Sequence, residues 1–324
     1  MKLWIKIAVS ATLLALIFLL LPWAKVWEAL QQLPPAAWLG VWAGFVLGHA
    51  LGVIKWRLFV NAGHGSLRAV DAAHCYSAGL FANLCLPSIV GGDLLRMAMA
   101  GKFTRRPEAA LWGGVMDRLT DITALAILVL IGGWLARDAL PGWGGQVLTV
   151  GLLLSIVLAA VVLPFVLRRP LARWPRKLRR PIGRSLVALR RLARRPSIAL
   201  KGLALSITIQ GSFVLLNAWL GHHIGVRVPL TVWFLVWPLA KVASLMPISL
   251  GGLAVREASL AGLLAPFGVP LTLGVLASLL WQSVLIAGGL AGGLVWLILA
   301  RRRGAPIRES LEVVHPTRTS GAHV

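Results

Sequence analysis

The chain alternates long apolar stretches with short polar or basic ones. Six stretches reach the roughly 20 mostly apolar residues that a helix needs to cross a hydrocarbon core: about 4–22, 37–54, 112–135, 147–167, 198–220 and 271–299. Two more, about 71–108 and 230–268, are apolar but interrupted by Pro and Gly-Gly. The predicted fold class is therefore all-α integral membrane. It has six full crossings plus two oppositely oriented, Pro/Gly-Gly-broken hairpins that form an inverted repeat. One polytopic domain occupies 1–303, and 304–324 reads as a polar, disordered tail. The first stretch starts with Lys2 and Lys6 as a signal peptide would, but no small-x-small cleavage site follows, so it reads as a retained helix.

Basic residues orient these elements, because cytoplasmic loops collect Lys and Arg. Residues 168–195 hold twelve Arg/Lys and no acid, which puts the loop 168–197 in the cytoplasm. Lys55, Arg57 and Arg68 precede the first broken segment, and Arg96, Lys102, Arg105 and Arg106 follow its break. A hairpin that enters from the cytoplasm and returns there keeps both flanks on one side. The same count makes 230–268 enter from and return to the outside, with both termini cytoplasmic. Pairs of short, fully crossing helices are the alternative. Within the basic loop, Ile182, Leu186, Leu189 and Leu192 share one helical face, as in an amphipathic helix lying on anionic headgroups.

Composition excludes a soluble globule. Of 324 residues, 58% are hydrophobic and 13% charged, against about 25% charged in a soluble domain, and the mean hydropathy is +0.82. The excess of 33 Lys+Arg over 10 Asp+Glu, +23 in all, would also suit nucleic-acid binding. The apolar spans make a membrane the better host, and no nucleic-acid partner is expected. Cys75 and Cys85 share one apolar stretch and form no disulfide framework. Fifteen tryptophans, among them Trp23, Trp38, Trp134 and Trp219 near span ends, suit interfacial belts.

The broken segments resemble each other. LPSIVGGDLLRM at 86–97 and MPISLGGLAVRE at 246–257 align without gaps through Pro87/Pro247, Gly91/Gly251, Gly92/Gly252 and Arg96/Arg256. Pro ends a helix, and paired glycines permit a tight turn and close approach. Irregular backbone survives in a membrane only where protein or water surrounds it. Two corresponding breaks in opposite orientation point to a transporter-type site at a repeat interface. The plainer alternative is a pair of helix-packing notches, a role that suits Gly288, Gly289, Gly292 and Gly293 well.

Charges inside apolar helices are costly and mark function. Asp117, Arg118 and Asp121 are spaced to share one helical face. They read either as a salt bridge that locks helices together or as an Arg held ready for a lipid phosphate. Arg256 and Glu257 follow the second Gly-Gly, and Asp93 and Arg96 are their counterparts. Lys241 reads as a headgroup contact or as a snorkelling lysine. His222 and His223 have no partner at metal-ligand spacing, so no metal or cofactor is expected.

Together LPSIVGGDLLRM, MDRLTD at 116–121, PISLGGLAVRE at 247–257 and IKWRLF at 54–59 resemble the lysylphosphatidylglycerol synthase transmembrane-region family, over roughly 5–300. The resemblance implies a flippase-like integral membrane protein. In bifunctional members a soluble aminoacyl-transferase domain follows this region. Here about 25 residues follow the last predicted crossing, so that activity is not carried over. The family pattern implies a further Gly near the second turn, where this chain carries Leu253-Ala254.

The leading expectation is a transporter, not an enzyme, that moves a polar or charged lipid between leaflets. Its anionic or glycosylated headgroup sits between the hairpins, near Arg96, Arg118, Arg256 and Lys241. Asp93, Asp117, Asp121 and Glu257 counter-charge the site or couple movement to protons. No GxxxxGK[ST] motif is present to support ATP hydrolysis. The alternatives are an accessory subunit of a lipid-modifying system and an embedded headgroup enzyme. The expected location is a bacterial cytoplasmic (inner) membrane, with a separate lipid synthase as a possible partner.

Overall fold

The computed structural model describes residues 27, 31, 33–85, 91–136, 195–244 and 254–302. The predicted stretches 4–22 and 147–167, residues 168–194 of the basic loop and the tail 304–324 lie outside the described residues. So do Pro87, Pro247, Gly251 and Gly252.

Eight helices and one short 3-10 turn make up the described part, and no strand occurs there. They are α1 (Pro35–Ala62), α2 (Ala69–Cys85), α3 (Gly91–Thr104), α4 (Pro107–Leu135), α5 (Pro196–His223), α6 (Leu230–Ser244), α7 (Val255–Leu264) and α8 (Leu271–Arg301). Pro stands in the first turn of α1, α4 and α5, where its missing N–H costs no helical hydrogen bond. Four of the six long apolar stretches coincide with α1, α4, α5 and α8. By length and composition α1, α5 and α8 can cross a membrane. Only 22–39% of the residues in their most apolar windows are buried, so most of that apolar surface faces outward, as lipid contact requires. The 29 residues of α4 span about 43 Å, but Asp117, Arg118 and Asp121 interrupt its apolar character.

Each broken segment is two short helices around an undescribed break. The lengths are 17 and 14 residues for α2 and α3, and 15 and 10 for α6 and α7. All fall below the roughly 20 residues of a full crossing. The two pairs dock on the same long helices in exchanged order: α2 lies along α8 and α3 along α4, whereas α6 lies along α4 and α7 along α8. α1 packs on both α5 and α4.

Glycines set the closest approaches. A side chain at Gly92 would strike the Gly79 carbonyl and Asn83, so α2 and α3 meet backbone to backbone there. Gly92 therefore performs the packing role considered for it, at the second residue of a helix rather than at a free turn. Gly288, Gly289, Gly292 and Gly293 make room for Phe45, Leu84, Leu80 and Phe81, as their small-residue spacing predicts. Trp134 and Trp219 are exposed, as an interfacial belt requires, but other tryptophans are not. Trp56, Trp112, Trp233, Trp237 and Trp281 are buried, Trp233 against Gly221.

Candidate functional site

Six charges from three helices meet in one cluster. Lys55 of α1 lies 3.0 Å from Asp117 and 2.5 Å from Asp121 on α4. Arg96 of α3 lies 2.7 Å from Asp117 and 3.0 Å from Asp93. Arg118 reaches back to Asp93 at 2.7 Å. Ser206 of α5 accepts from Lys55 at 2.9 Å and donates to Asp121 at 3.0 Å. The Arg96 guanidinium also lies over the Trp56 and Tyr76 rings, 5.2 and 5.0 Å from their centroids. Three cations thus meet three carboxylates. Such balance is what burial demands, since an unpaired buried charge is severely destabilising.

Two sequence expectations change at this point. Lys55, read as a charge on the cytoplasmic flank, is 2% exposed and central to the cluster. The helix carries it inward because α1 continues to Ala62, beyond the apolar stretch that ends at 54. The carboxylates of α4 are also held across helices rather than by their own neighbour: Asp121 pairs with Lys55, and Arg118 with Asp93.

Beside the cluster is a cavity of about 280 Å³. Its polar wall includes Arg118, Lys241 and Arg256, with Asn83, Asn217 and Gln282. Its apolar wall includes Phe45, Phe213, Trp237 and Trp281. Arg256 is held by Glu257 at 2.9 Å, Gln282 at 2.6 Å and Ser278 at 3.2 Å, and Glu257 is fully buried. Lys241 donates to Gln210 Oε1 at 2.7 Å and lies over Trp237 and Phe213 at 4.9 and 5.5 Å. Among the described residues no carboxylate pairs with Lys241, and none lines the cavity.

Of the residues singled out from sequence, Arg118, Lys241 and Arg256 reach the cavity. Asp93, Arg96, Asp117 and Asp121 form the cluster behind Arg118, and Glu257 backs Arg256. Gly91 and Gly92 open α3. His49 also lines the cavity and contacts the Tyr76 hydroxyl at 3.2 Å. Neither it nor Ser206, Gln210, Asn217, Ser278 and Gln282 was singled out. Their spacing carried a signal: 206, 210 and 217 recur on one face of α5, and 278 and 282 on one face of α8. His222 and His223 close α5 and pair with Arg227 and with the Trp219 carbonyl. Among the described residues no group of His, Cys, Asp or Glu could hold a metal ion.

No curated protein and no solved structure matches the chain. Residues 3–293 match the family described as lysylphosphatidylglycerol synthase TM region, which makes this a membrane protein with transmembrane helices and a lipid-related role. The chain belongs to the lysylphosphatidylglycerol synthase transmembrane-region family.

Proposed function

We propose that the protein moves a polar or charged lipid between bilayer leaflets, with the headgroup bound in the cavity beside the ion cluster. The observation that carries this reading is a concave, aromatic-walled space reached by three cations, Arg118, Lys241 and Arg256, inside a bundle whose outer surface is apolar. A volume of about 280 Å³ is just below the roughly 300–1,000 Å³ of small-ligand sites. It suits a headgroup whose acyl tails stay in the bilayer. The exchanged docking of α2/α3 and α6/α7 on α4 and α8 supports two oppositely oriented hairpins around this space, an arrangement that suits alternating access.

In this reading six crossings and two re-entrant hairpins place both termini in the cytoplasm of a bacterial inner membrane. Arg118 and Arg256 are fixed by their acids as oriented donors, and Asp117 and Asp121 hold Arg96 and Lys55 away from the lipid path. A separate synthase supplies the lipid.

The test is a sidedness assay on purified protein in liposomes. Fluorescent phosphatidylglycerol and a cationic analogue are loaded in one leaflet, and an impermeant quencher reports arrival in the other. Wild type should exceed protein-free vesicles at least tenfold, and Arg256→Ala should abolish the difference. Protein-free rates for every probe, with and without an imposed pH difference, would refute transport and favour an accessory or headgroup-modifying role.

A further inference from the structure

The family description names a lysylated lipid, whose headgroup carries two ammonium groups and one phosphate. The cavity is poorly matched to it. Five cations, Lys55, Arg96, Arg118, Lys241 and Arg256, face four carboxylates, Asp93, Asp117, Asp121 and Glu257, in the cluster and the cavity wall. The positive charge left over lies at Lys241. Its neighbours are an amide oxygen and two aromatic faces, which orient an ammonium without neutralising it. An ammonium entering beside Lys241 meets like charge and, among the described residues, no carboxylate on the wall. A phosphate meets Lys241, Arg118 and Arg256 together.

We infer that the cavity selects a phosphate-type anion of net negative charge, with Lys241 as its charge-selecting ligand, and turns away lysylated headgroups. This rests on the cavity being the headgroup site. Lys241 is suited to the role because it is the one of these five cations with no ion pair among the described residues. Arg118 and Arg256 already spend hydrogen bonds on Asp93 and on Glu257 and Gln282. An anion arriving at Lys241 completes an ion pair in a low-dielectric space, where such a pair is stronger than in water. The Trp237 and Phe213 rings and the Gln210 amide oxygen together fix the position of the Lys241 ammonium.

Binding, measured apart from transport, tests this. The purified full chain in phosphatidylcholine nanodiscs is offered phosphatidylglycerol, phosphatidic acid, a neutral glucosyl diacylglycerol or lysyl-phosphatidylglycerol, and native mass spectrometry counts the lipid retained. The two anionic lipids should be retained at least tenfold over the neutral and lysylated ones. Lys241→Gln should erase that preference, and Lys241→Arg should keep it within about threefold. Lys241→Met, which retains the apolar stem, serves if the Gln variant does not fold. Arg227→Gln, at an exposed residue remote from the cavity lining, should change nothing and so controls for adsorption of anionic lipid to a basic surface. Displacement of phosphatidylglycerol by millimolar inorganic phosphate would support the anion site while assigning it to soluble phosphates. Equal retention of the lysylated lipid, or an anionic preference that survives Lys241→Gln, would overturn the inference. Preference without leaflet exchange would sink the transport reading and leave this one standing; exchange without preference would do the reverse.

Discussion

Removing Lys55 should be among the most damaging single substitutions in the protein. Its ammonium lies 3.0 Å from Asp117 and 2.5 Å from Asp121, and both Lys55 and Asp117 are nearly inaccessible, at 2% and 3% of side-chain surface. At an effective dielectric of about 20 each contact is worth roughly 5–7 kcal/mol of gross attraction, most of it offset by the desolvation of the partners. Deleting one member of a buried pair leaves the other uncompensated, and the net cost is about 3–5 kcal/mol. In Lys55→Met, Asp117 keeps Arg96, but Asp121 keeps only the Ser206 hydroxyl among its described partners. Asp121→Asn alone removes an acid that is 15% exposed and should cost less, about 1–3 kcal/mol. The double variant restores the charge balance, so it should be less destabilised than the sum of the singles by about 2 kcal/mol or more. Unfolding of the purified protein in mixed micelles, titrated with a denaturing detergent, measures each corner of this cycle. Additive losses, or a Lys55→Met variant as stable as wild type, would refute the claim that Lys55 is an integral member of the cluster.

Three backbone positions yield further tests by the same titration. Gly92→Ala should destabilise by about 1–3 kcal/mol, because its methyl meets the Gly79 carbonyl, which cannot move without parting α2 from α3; Gly40→Ala, with nothing within 4 Å, should be neutral or gain about 0.5–1 kcal/mol, and similar losses at both sites would contradict the packing argument. Ala254, with φ of +67° at the start of α7, is in a region that L residues adopt at a cost of about 1–2 kcal/mol. Ala254→Gly should recover that cost less about 0.8 kcal/mol for a lost buried methyl, a net gain of up to roughly 1 kcal/mol, and a clear loss of stability would show the position unstrained.

Ala254 also illustrates how far the sequence could be read. The family pattern implied a further glycine near Leu253-Ala254, and the left-handed backbone occurs at Ala254 itself, so the departure was visible as an expectation about one residue. The long apolar stretches of α1, α4, α5 and α8 were legible because burial in lipid or protein demands uninterrupted apolar length. Asp117, Arg118 and Asp121 stood out for the converse reason. Partner choice was not legible: helical spacing suggested contacts within α4, whereas Lys55 and Asp93 come from elsewhere in the chain. Charge counting placed Lys55 with its basic neighbours, and only its position inside IKWRLF hinted otherwise. Polar residues on α5 and α8 escaped notice because one Gln or Ser in an apolar helix barely changes its hydropathy, although its recurrence on one face does mark a wall.

The ion cluster also constrains how the protein can be made. Inserted alone, α4 would carry Asp117, Arg118 and Asp121 into lipid at roughly 2.5–3.5 kcal/mol each. Its eleven Leu, Ile and Val residues return about 0.3–0.6 kcal/mol each. The charges outweigh the apolar gain, so α4 does not partition by itself. Its helpers precede it: Lys55 is synthesised 66 residues before Asp121, about 3–13 s earlier at ribosomal speed, and Arg96 emerges in between. Ser206 follows 85 residues after Asp121, late enough to close the cluster but too late to start it. The ion pairs that organise the finished bundle thus also bear on the order of its assembly, since Lys55 and Arg96 precede the acids of α4 in the chain and Ser206 follows them.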